Sequence, residues 1–401
     1  MQLNLKVCDQ MTLSKKLLEK YDPFSVDDIW IKINKELSKK QNPIFVLHGG
    51  YGKKNVGDDA ICGMLIERIK KYIQDPYFIV ICHGPKEIKK LYSKEIKEAY
   101  HFKDVRTFKA AIKADAYVIG GGGIINKINT YSGFSNFKIL DMKGKFMFII
   151  GILAKLFGAK LVFFSIGATS IPDIGVKLLS KLAINFADHT SVRDPLSQKI
   201  LKKIGIKKSI PLAFDPVILL KPSSKLKARK ILQNEKIPLN KPLIGITFRY
   251  VRDDVFKTKK KIQILADIIN NLIKKYDVNM LFVPFGRHPS KVLENDKSFA
   301  RELEKNIANK DRYFILKKDY RPKEYKAILS ILDFAILERL HAIIMAAPTG
   351  IPFIALSYDN KVDQFLKMIK MSEVAFPLEK LEKSKFLNFI DTKLQKVKMV
   401  K

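Results

Sequence analysis

The stretch Leu337-Glu338-Arg339-Leu340-His341-Ala342 runs on through residues 343–347. It then continues as Gly350-Ile351-Pro352-Phe353-Ile354-Ala355-Leu356-Ser357-Tyr358-Asp359-Asn360-Lys361-Val362. It reads as the end of a buried strand, a helix that starts at Arg-Leu-His, and a second buried strand ending at Ser-Tyr-Asp. Both strands are short, continuous apolar runs, as expected of parallel strands covered on both faces. The same alternation extends outward. Residues 44–47, 78–82, 117–119, 161–166 and 210–213 read as strands of a first half. Residues 243–248, 280–284, 313–316, 334–337 and 353–356 read as strands of a second. Amphipathic stretches at 60–72, 176–187, 260–275 and 291–307 lie between them. The expected fold is α/β: two Rossmann-like lobes with parallel sheets and an active-site cleft between the lobes at the carboxyl ends of the strands.

The expected organisation is a charged, helical amino-terminal extension over 1–40 and a Rossmann-like domain over 41–222. A Lys-, Pro- and Ser-rich inter-domain region follows over 223–241, then a second Rossmann-like domain over 242–401. The length of 401 residues suits that division. With 47% hydrophobic residues the chain can build packed cores, which excludes a disordered polycation despite a net charge of +34. The excess is mostly Lys, spread along the chain, which marks solvated helix faces more than a nucleic-acid stripe. Cys8, Cys62 and Cys82 have no metal-ligand spacing and read as reduced thiols of a cytoplasmic protein. The most apolar region, 146–167, is broken by Lys155, Gly158 and Lys160, and reads as helix then strand rather than a membrane span.

Four segments carry chemistry. In the first, His48-Gly49-Gly50-Tyr51-Gly52-Lys53-Lys54-Asn55-Val56-Gly57-Asp58-Asp59, a strand gives way to a glycine loop and a helix. Gly52 and Gly57 have P-loop spacing, but Asp58-Asp59 stands where a P-loop needs Lys and Ser or Thr, which excludes nucleotide hydrolysis. Asp58 is read as either a helix N-cap or a catalytic carboxylate. The second is Gly120-Gly121-Gly122-Gly123, where backbone can approach a ligand at a strand end. In the third, Thr190-Ser191-Val192-Arg193-Asp194-Pro195, Arg193 either forks onto a carboxylate or phosphate or pairs with Asp194. The fourth is the opening stretch, in which Arg339 and His341 flank Leu340 at a helix start, where amides favour anions.

Taken in order, these four segments resemble the polysaccharide pyruvyl transferase family over about residues 43 to 370. The resemblance implies that the two lobes are GT-B-like, and it implies transfer of the pyruvyl group of phosphoenolpyruvate onto a sugar of a polysaccharide or its precursor, closing a ketal and releasing phosphate. It implies roles for Asp58, Arg193, Arg339, His341 and Lys361. His341 and Asp58 are the expected proton-transfer residues. Arg193, Arg339, Leu340, Lys361, Gly57, Gly121 and Gly122 are the expected substrate-binding set. No metal or further cofactor is expected, phosphoenolpyruvate being a substrate. The expected partners are a sugar acceptor, lipid- or nucleotide-linked, and an anionic membrane surface at the inner face of the cytoplasmic membrane; nucleic acid is not expected. Asp59, Lys127 and Glu338 depart from the family pattern, Glu338 by setting a negative charge beside Arg339. The competing readings are a sugar-nucleotide-dependent glycosyltransferase and a non-catalytic basic binding protein.

Overall fold

In the computed structural model, the described residues are 27–125, 146–170, 174–250, 255–288 and 292–397. Lys127, Cys8 and most of the stretch read as an amino-terminal extension lie outside them. The chain divides into two compact units. The amino-terminal unit contains residues 27–53 and Asp58–Leu219, and the carboxy-terminal unit contains Lys54–Gly57 and the chain from Leu220 onward.

The amino-terminal unit runs α1 (Asp28–Leu37), β1 (Ile44–His48), α2 (Val56–Tyr72, which enters this unit at Asp58), β2 (Tyr77–Cys82), α3 (Pro85–Leu91), β3 (Ile96–His101) and α4 (Arg106–Lys113). It continues β4 (Ala116–Gly120), β5 (Gly123–Ile125), α5 (Phe146–Leu156), β6 (Lys160–Ala168), α6 (Ile174–Phe186), β7 (His189–Val192) and α7 (Pro195–Lys203). Its sheet is ordered β3-β2-β1-β4-β6-β5, with β7 on β6, and every pairing is parallel. The carboxy-terminal unit has α8 (Lys225–Asn234), β8 (Leu243–Thr247), α9 (Val255–Tyr276), β9 (Asn279–Phe282), α10 (Asp296–Glu304), β10 (Tyr313–Ile315) and α11 (Pro322–Leu329). Then come β11 (Phe334–Leu337), α12 (Leu340–Ala346), β12 (Phe353–Ser357), α13 (Asn360–Met368), β13 (Ala375–Pro377) and α14 (Lys383–Val397). Its sheet, β10-β9-β8-β11-β12-β13, is parallel throughout. Each order steps outward from a central first strand and then reverses, the doubly wound pattern that places loops at the switch point between the first and fourth strands. Those loops follow β1 and β4 in one unit and β8 and β11 in the other.

Local chemistry explains the boundaries. α5 ends at a left-handed Gly158 (φ 96°), where Ala159 N–H donates to Ala154 O and Gly158 N–H to Lys155 O. Asp194 caps α7 by accepting from Ser197 N–H at 2.7 Å, with Pro195 in the first helical turn. The first apolar stretch is thus helix then strand, and no described helix is long and apolar enough to cross a membrane.

Several expectations are corrected. Residues 210–213 make no strand; Leu212 forms an isolated bridge to Val192, and Pro211, lacking an N–H, cannot extend the ladder. β3, β5, β7 and β13 are additional strands. Residues 291–307 do not form one helix, because Asn295 caps a new one at Asp296. Residues 220–241 belong to the carboxy-terminal unit, where α8 packs against α11 and buries Ala228, Ile231 and Leu232.

α1 is bound into the amino-terminal unit. Trp30 is fully buried beside Phe164, with ring centroids 5.6 Å apart. Asp27 accepts from Arg68 Nε and Nη2 at 3.0 and 2.6 Å and from the Tyr72 hydroxyl at 2.7 Å. Asp27→Ala removes the carboxylate that Arg68 and Tyr72 share and is expected to cost about 1.5–3 kcal/mol in urea unfolding. A loss below about 1 kcal/mol contradicts this account of how α1 is held.

Candidate functional site

In the amino-terminal unit the glycine segments converge on Asp58. α2 starts at Val56, and Asn55 takes the cap by accepting from Gly57 N–H at 3.1 Å. Asp58 is therefore not the N-cap; it lies in the first turn, where the helix dipole favours a carboxylate. A Cβ placed on Gly50 or Gly122 would lie 3.8 Å from Asp58 Oδ2 or 3.6 Å from Oδ1. The Asp58 carboxylate thus stands between the loops that follow β1 and β4. Gly121 and Gly122 have φ of 61° and 76°, and a Cβ on Gly121 would be 2.2 Å from Ile61. Both conformation and space demand glycine there.

Two residues absent from the expected site hold these loops. Asp59 Oδ1 accepts from Gly52 N–H at 2.7 Å, so the Asp that departs from the family pattern pins the first loop. Tyr51, fully enclosed, donates its hydroxyl to Gly120 O at 2.7 Å and joins the first loop to the second. Beneath them His48 Nδ1 lies 2.6 Å from the Tyr117 hydroxyl.

Arg193 is 7% exposed and lies against the backbone of β6, where a Cβ on Gly167 would approach its Nε to 2.6 Å. Gly167 N–H donates to Gly122 O at 2.8 Å, which brings Arg193 beside the glycine tetrad. Its guanidinium faces Asp194 Oδ2 at 3.4 Å and Asp215 Oδ2 at 3.5 Å.

In the carboxy-terminal unit, Arg339 and Leu340 follow the end of β11. Arg339 Nε donates to Asp296 Oδ2 at 2.9 Å, and its Nη2 bonds Asp296 Oδ1. Burial disfavours the guanidinium charge, but Asp296 outweighs it and raises the pKa. Asp296 Oδ2 also accepts from Phe285 and Gly286 N–H. Glu338 does not oppose Arg339 alone: its Oε2 accepts from Lys261 Nζ at 2.6 Å, a fully enclosed pair. Burial lowers the Lys261 pKa against the pull of Glu338. Leu340 is buried at the start of α12.

His341 packs on the Lys54–Gly57 segment. Val56 N–H donates to Phe285 O and Arg287 N–H to Lys54 O, an antiparallel match centred on Asn55 and Gly286. This seats Gly57 so closely that an added Cβ would lie 2.0 Å from His341 Cγ and Nδ1. Asp58 is the next residue in the chain. Lys361 follows β12 in the first turn of α13: its Nζ is 3.3 Å from Asp359 Oδ2 and 5.0 Å from the Tyr358 ring centroid. A cavity of about 630 Å³ opens beside it, lined by Lys261, Ser357, Tyr358, Asn360 and Asp363 among others.

Two predictions follow from this geometry. Gly57→Ala should destabilise the protein by about 1–3 kcal/mol through overpacking, although alanine normally favours a helix. His341→Ala should relieve only part of that cost, because His341 Cβ itself lies 2.5 Å from the added methyl; His341→Gly should relieve it all. Additive costs in the Gly57→Ala/His341→Gly pair contradict the contact. His48 supplies a pH test. Burial, then the neighbouring His83, lowers its pKa to about 3. The unfolded chain therefore takes up a proton below about pH 6.5 that the folded chain refuses. Stability is present above pH 6.5 and is lost as pH falls toward 3. His189, lowered to about 4 chiefly by burial, acts in the same direction. Urea unfolding of His48→Gln should lose less stability between pH 7.5 and 5 than the parent protein; an equal loss removes His48 from the account.

The comparisons place this geometry in a family. The model of polysaccharide pyruvyl transferase matches residues 55–360. No curated protein matches significantly. Among solved structures, the chain is similar to the UDP-GlcNAc 2-epimerase of Methanocaldococcus jannaschii (TM-score 0.56, 12% identity, 88% of this chain and 93% of that one). It is also similar to the UDP-GlcNAc 2-epimerase of Neisseria meningitidis (TM-score 0.55, 11% identity, 90% and 94%). A third likeness is to the E. coli ADP-heptose lps heptosyltransferase II (TM-score 0.51, 13% identity, 88% and 98%). At these identities the likenesses establish the fold, two parallel-sheet α/β lobes of GT-B type. With the family model spanning Gly57, Asp58, the Gly120–Gly123 segment, Arg193, Arg339 and His341, the chain belongs to the polysaccharide pyruvyl transferase family.

Proposed function

We propose that the protein transfers the pyruvyl group of phosphoenolpyruvate to a sugar of a polysaccharide or its precursor. The observation that carries this reading is the family match over residues 55–360, which takes in Asp58, Arg193, Arg339 and His341. A proton adds to the methylene carbon of the donor, and a sugar hydroxyl oxygen bonds to the adjacent carbon. A second hydroxyl then displaces phosphate from that carbon and closes the ketal. Of the two hydroxyl protons released, one is balanced by the new methyl group and the other by the departing phosphate. His341 and Asp58 are assigned these transfers, as groups able to give and accept protons. Arg193 and Arg339 are assigned to the donor's carboxylate and phosphate, for which a forked guanidinium suits better than an ammonium. Tyr358, Asn360 and Asp363 offer an aromatic ring and hydrogen-bonding groups to an acceptor sugar.

The test is mass spectrometry of candidate glycans after incubation with phosphoenolpyruvate. The expected product carries one pyruvyl ketal, and His341→Ala and Asp58→Ala each lower its rate of formation by 100-fold or more. Wild-type rates in both variants would overturn the assignment of roles. Turnover of a nucleotide sugar, with no use of phosphoenolpyruvate, would overturn the donor.

A further inference from the structure

Charge balance sets one cluster of the carboxy-terminal unit apart. Arg193, Arg339 and Lys361 each face at least one carboxylate. Around Asp319 the ratio is reversed. Arg287 Nη1 lies 2.5 Å from Asp319 Oδ1, Lys297 Nζ 3.1 Å from the same oxygen, and Lys54 Nζ 3.7 Å from Oδ2. Three cations thus share one carboxylate, and the carboxylate, 45% exposed, leaves the cluster open to solvent.

A second observation is independent of the charge count. Arg287 is 8% exposed and its guanidinium sits 5.3 Å from the Tyr325 ring centroid. Its Nε and the Tyr325 hydroxyl are buried without a hydrogen-bond partner. Buried donors of this kind are rare in a folded chain and call for a reason. An oxyanion supplies acceptors to both and balances the excess positive charge. The cluster also adjoins the site already described: Arg287 follows Gly286, whose amide helps hold the carboxylate that fixes Arg339, and Lys54 leads into Gly57.

We propose that Arg287, with Lys54, Lys297 and Tyr325, forms a phosphoryl-binding subsite. Asp319 positions the cations and leaves them in excess. Two sources share this chemistry: the phosphate of phosphoenolpyruvate, and the diphosphate of a carrier-linked sugar acceptor. The identity of the phosphoryl compound rests on the pyruvyl-transfer reading; the binding itself does not.

The experiment is isothermal titration of the full chain with phosphoenolpyruvate and, separately, with inorganic pyrophosphate. Arg287→Gln and Lys297→Gln are expected to weaken at least one probe tenfold or more, about 1.4 kcal/mol. Lys297→Gln leaves the buried Arg287–Tyr325 contact intact and guards against misfolding of the first variant. Lys305→Gln, an exposed lysine of the same unit outside the cluster, is expected to change neither affinity. Loss toward phosphoenolpyruvate alone assigns the donor phosphate, and loss toward pyrophosphate alone assigns an acceptor diphosphate. Loss toward both means that the two groups compete for the subsite. Wild-type affinity for both probes in folded Lys297→Gln, an equal loss in Lys305→Gln, or no binding of either probe by the parent protein overturns the proposal. If the variants weaken pyrophosphate binding while the parent forms no ketal, the subsite stands and the pyruvyl reading falls.

Discussion

The carboxy-terminal unit depends on the Asp296 carboxylate. It is 1% exposed and receives four donors: two backbone amides beyond β9 and two nitrogens of Arg339 beyond β11. These loops flank the switch point of the sheet, because β9 and β11 lie on either side of β8. A buried carboxylate stripped of its donors is costly, so the fold keeps both loops in place to keep the charge satisfied. Arg339 then sets the entry to α12, and with it the place of His341. Thr247, at the end of β8, adds its hydroxyl as acceptor for the Glu338 and Arg339 amides. The catalytic candidate is thus positioned by a carboxylate that does not itself need to meet a substrate.

The same arrangement limits what Arg339 can do. Two of its nitrogens are already committed to Asp296, which leaves Nη1 as the guanidinium nitrogen that this carboxylate does not engage. Arg193 is similarly placed between Asp194 and Asp215. Such compensation lets a guanidinium stay buried, charged and fixed in direction, which favours orientation of a small polyanion over sheer attraction. Excess positive charge is the property of Arg287 and its two lysines. Orientation and charge neutralisation are therefore assigned to different residues.

Much of this architecture is legible in sequence because buried parallel strands write continuous apolar runs. β1, β4, β8 and β12 do so, and their burial is nearly complete. β3 escapes such a reading: Ile-Lys-Glu-Ala-Tyr-His is an edge strand in which Lys97 is exposed and Glu98, half-buried, accepts from the Tyr77 hydroxyl. The strand expected at 210–213 errs the other way, since Ile210 and Ala213 are buried without a ladder. At the site, Gly121, Gly122 and Arg193 are brought together as their positions at strand ends imply. Lys361 is bound up with the cap of α13 and with Tyr358, a ring whose charge also bears on Arg339. Asp296 was illegible because its role depends on a partner 43 residues away, and no local pattern distinguishes it from an ordinary first-turn aspartate.

Glu338 shows why a local charge can mislead. Adjacent to Arg339 in sequence, it looks like a competitor for that cation. In the fold, alternation along the strand exit sends the two side chains to different partners, Glu338 to Lys261 and Arg339 to Asp296. Lys261 also donates to Arg249 O, so this second buried pair holds the loop after β8 as Asp296 holds the loop after β9. Removing the Glu338 charge would therefore not free Arg339 for an anion; it would leave Lys261 buried and uncompensated and loosen the loop after β8. The net charge of +34 is in this sense divided by structure: some cations serve as internal counter-ions, many are solvated, and a cluster around Asp319 retains the excess that a phosphorylated substrate can use.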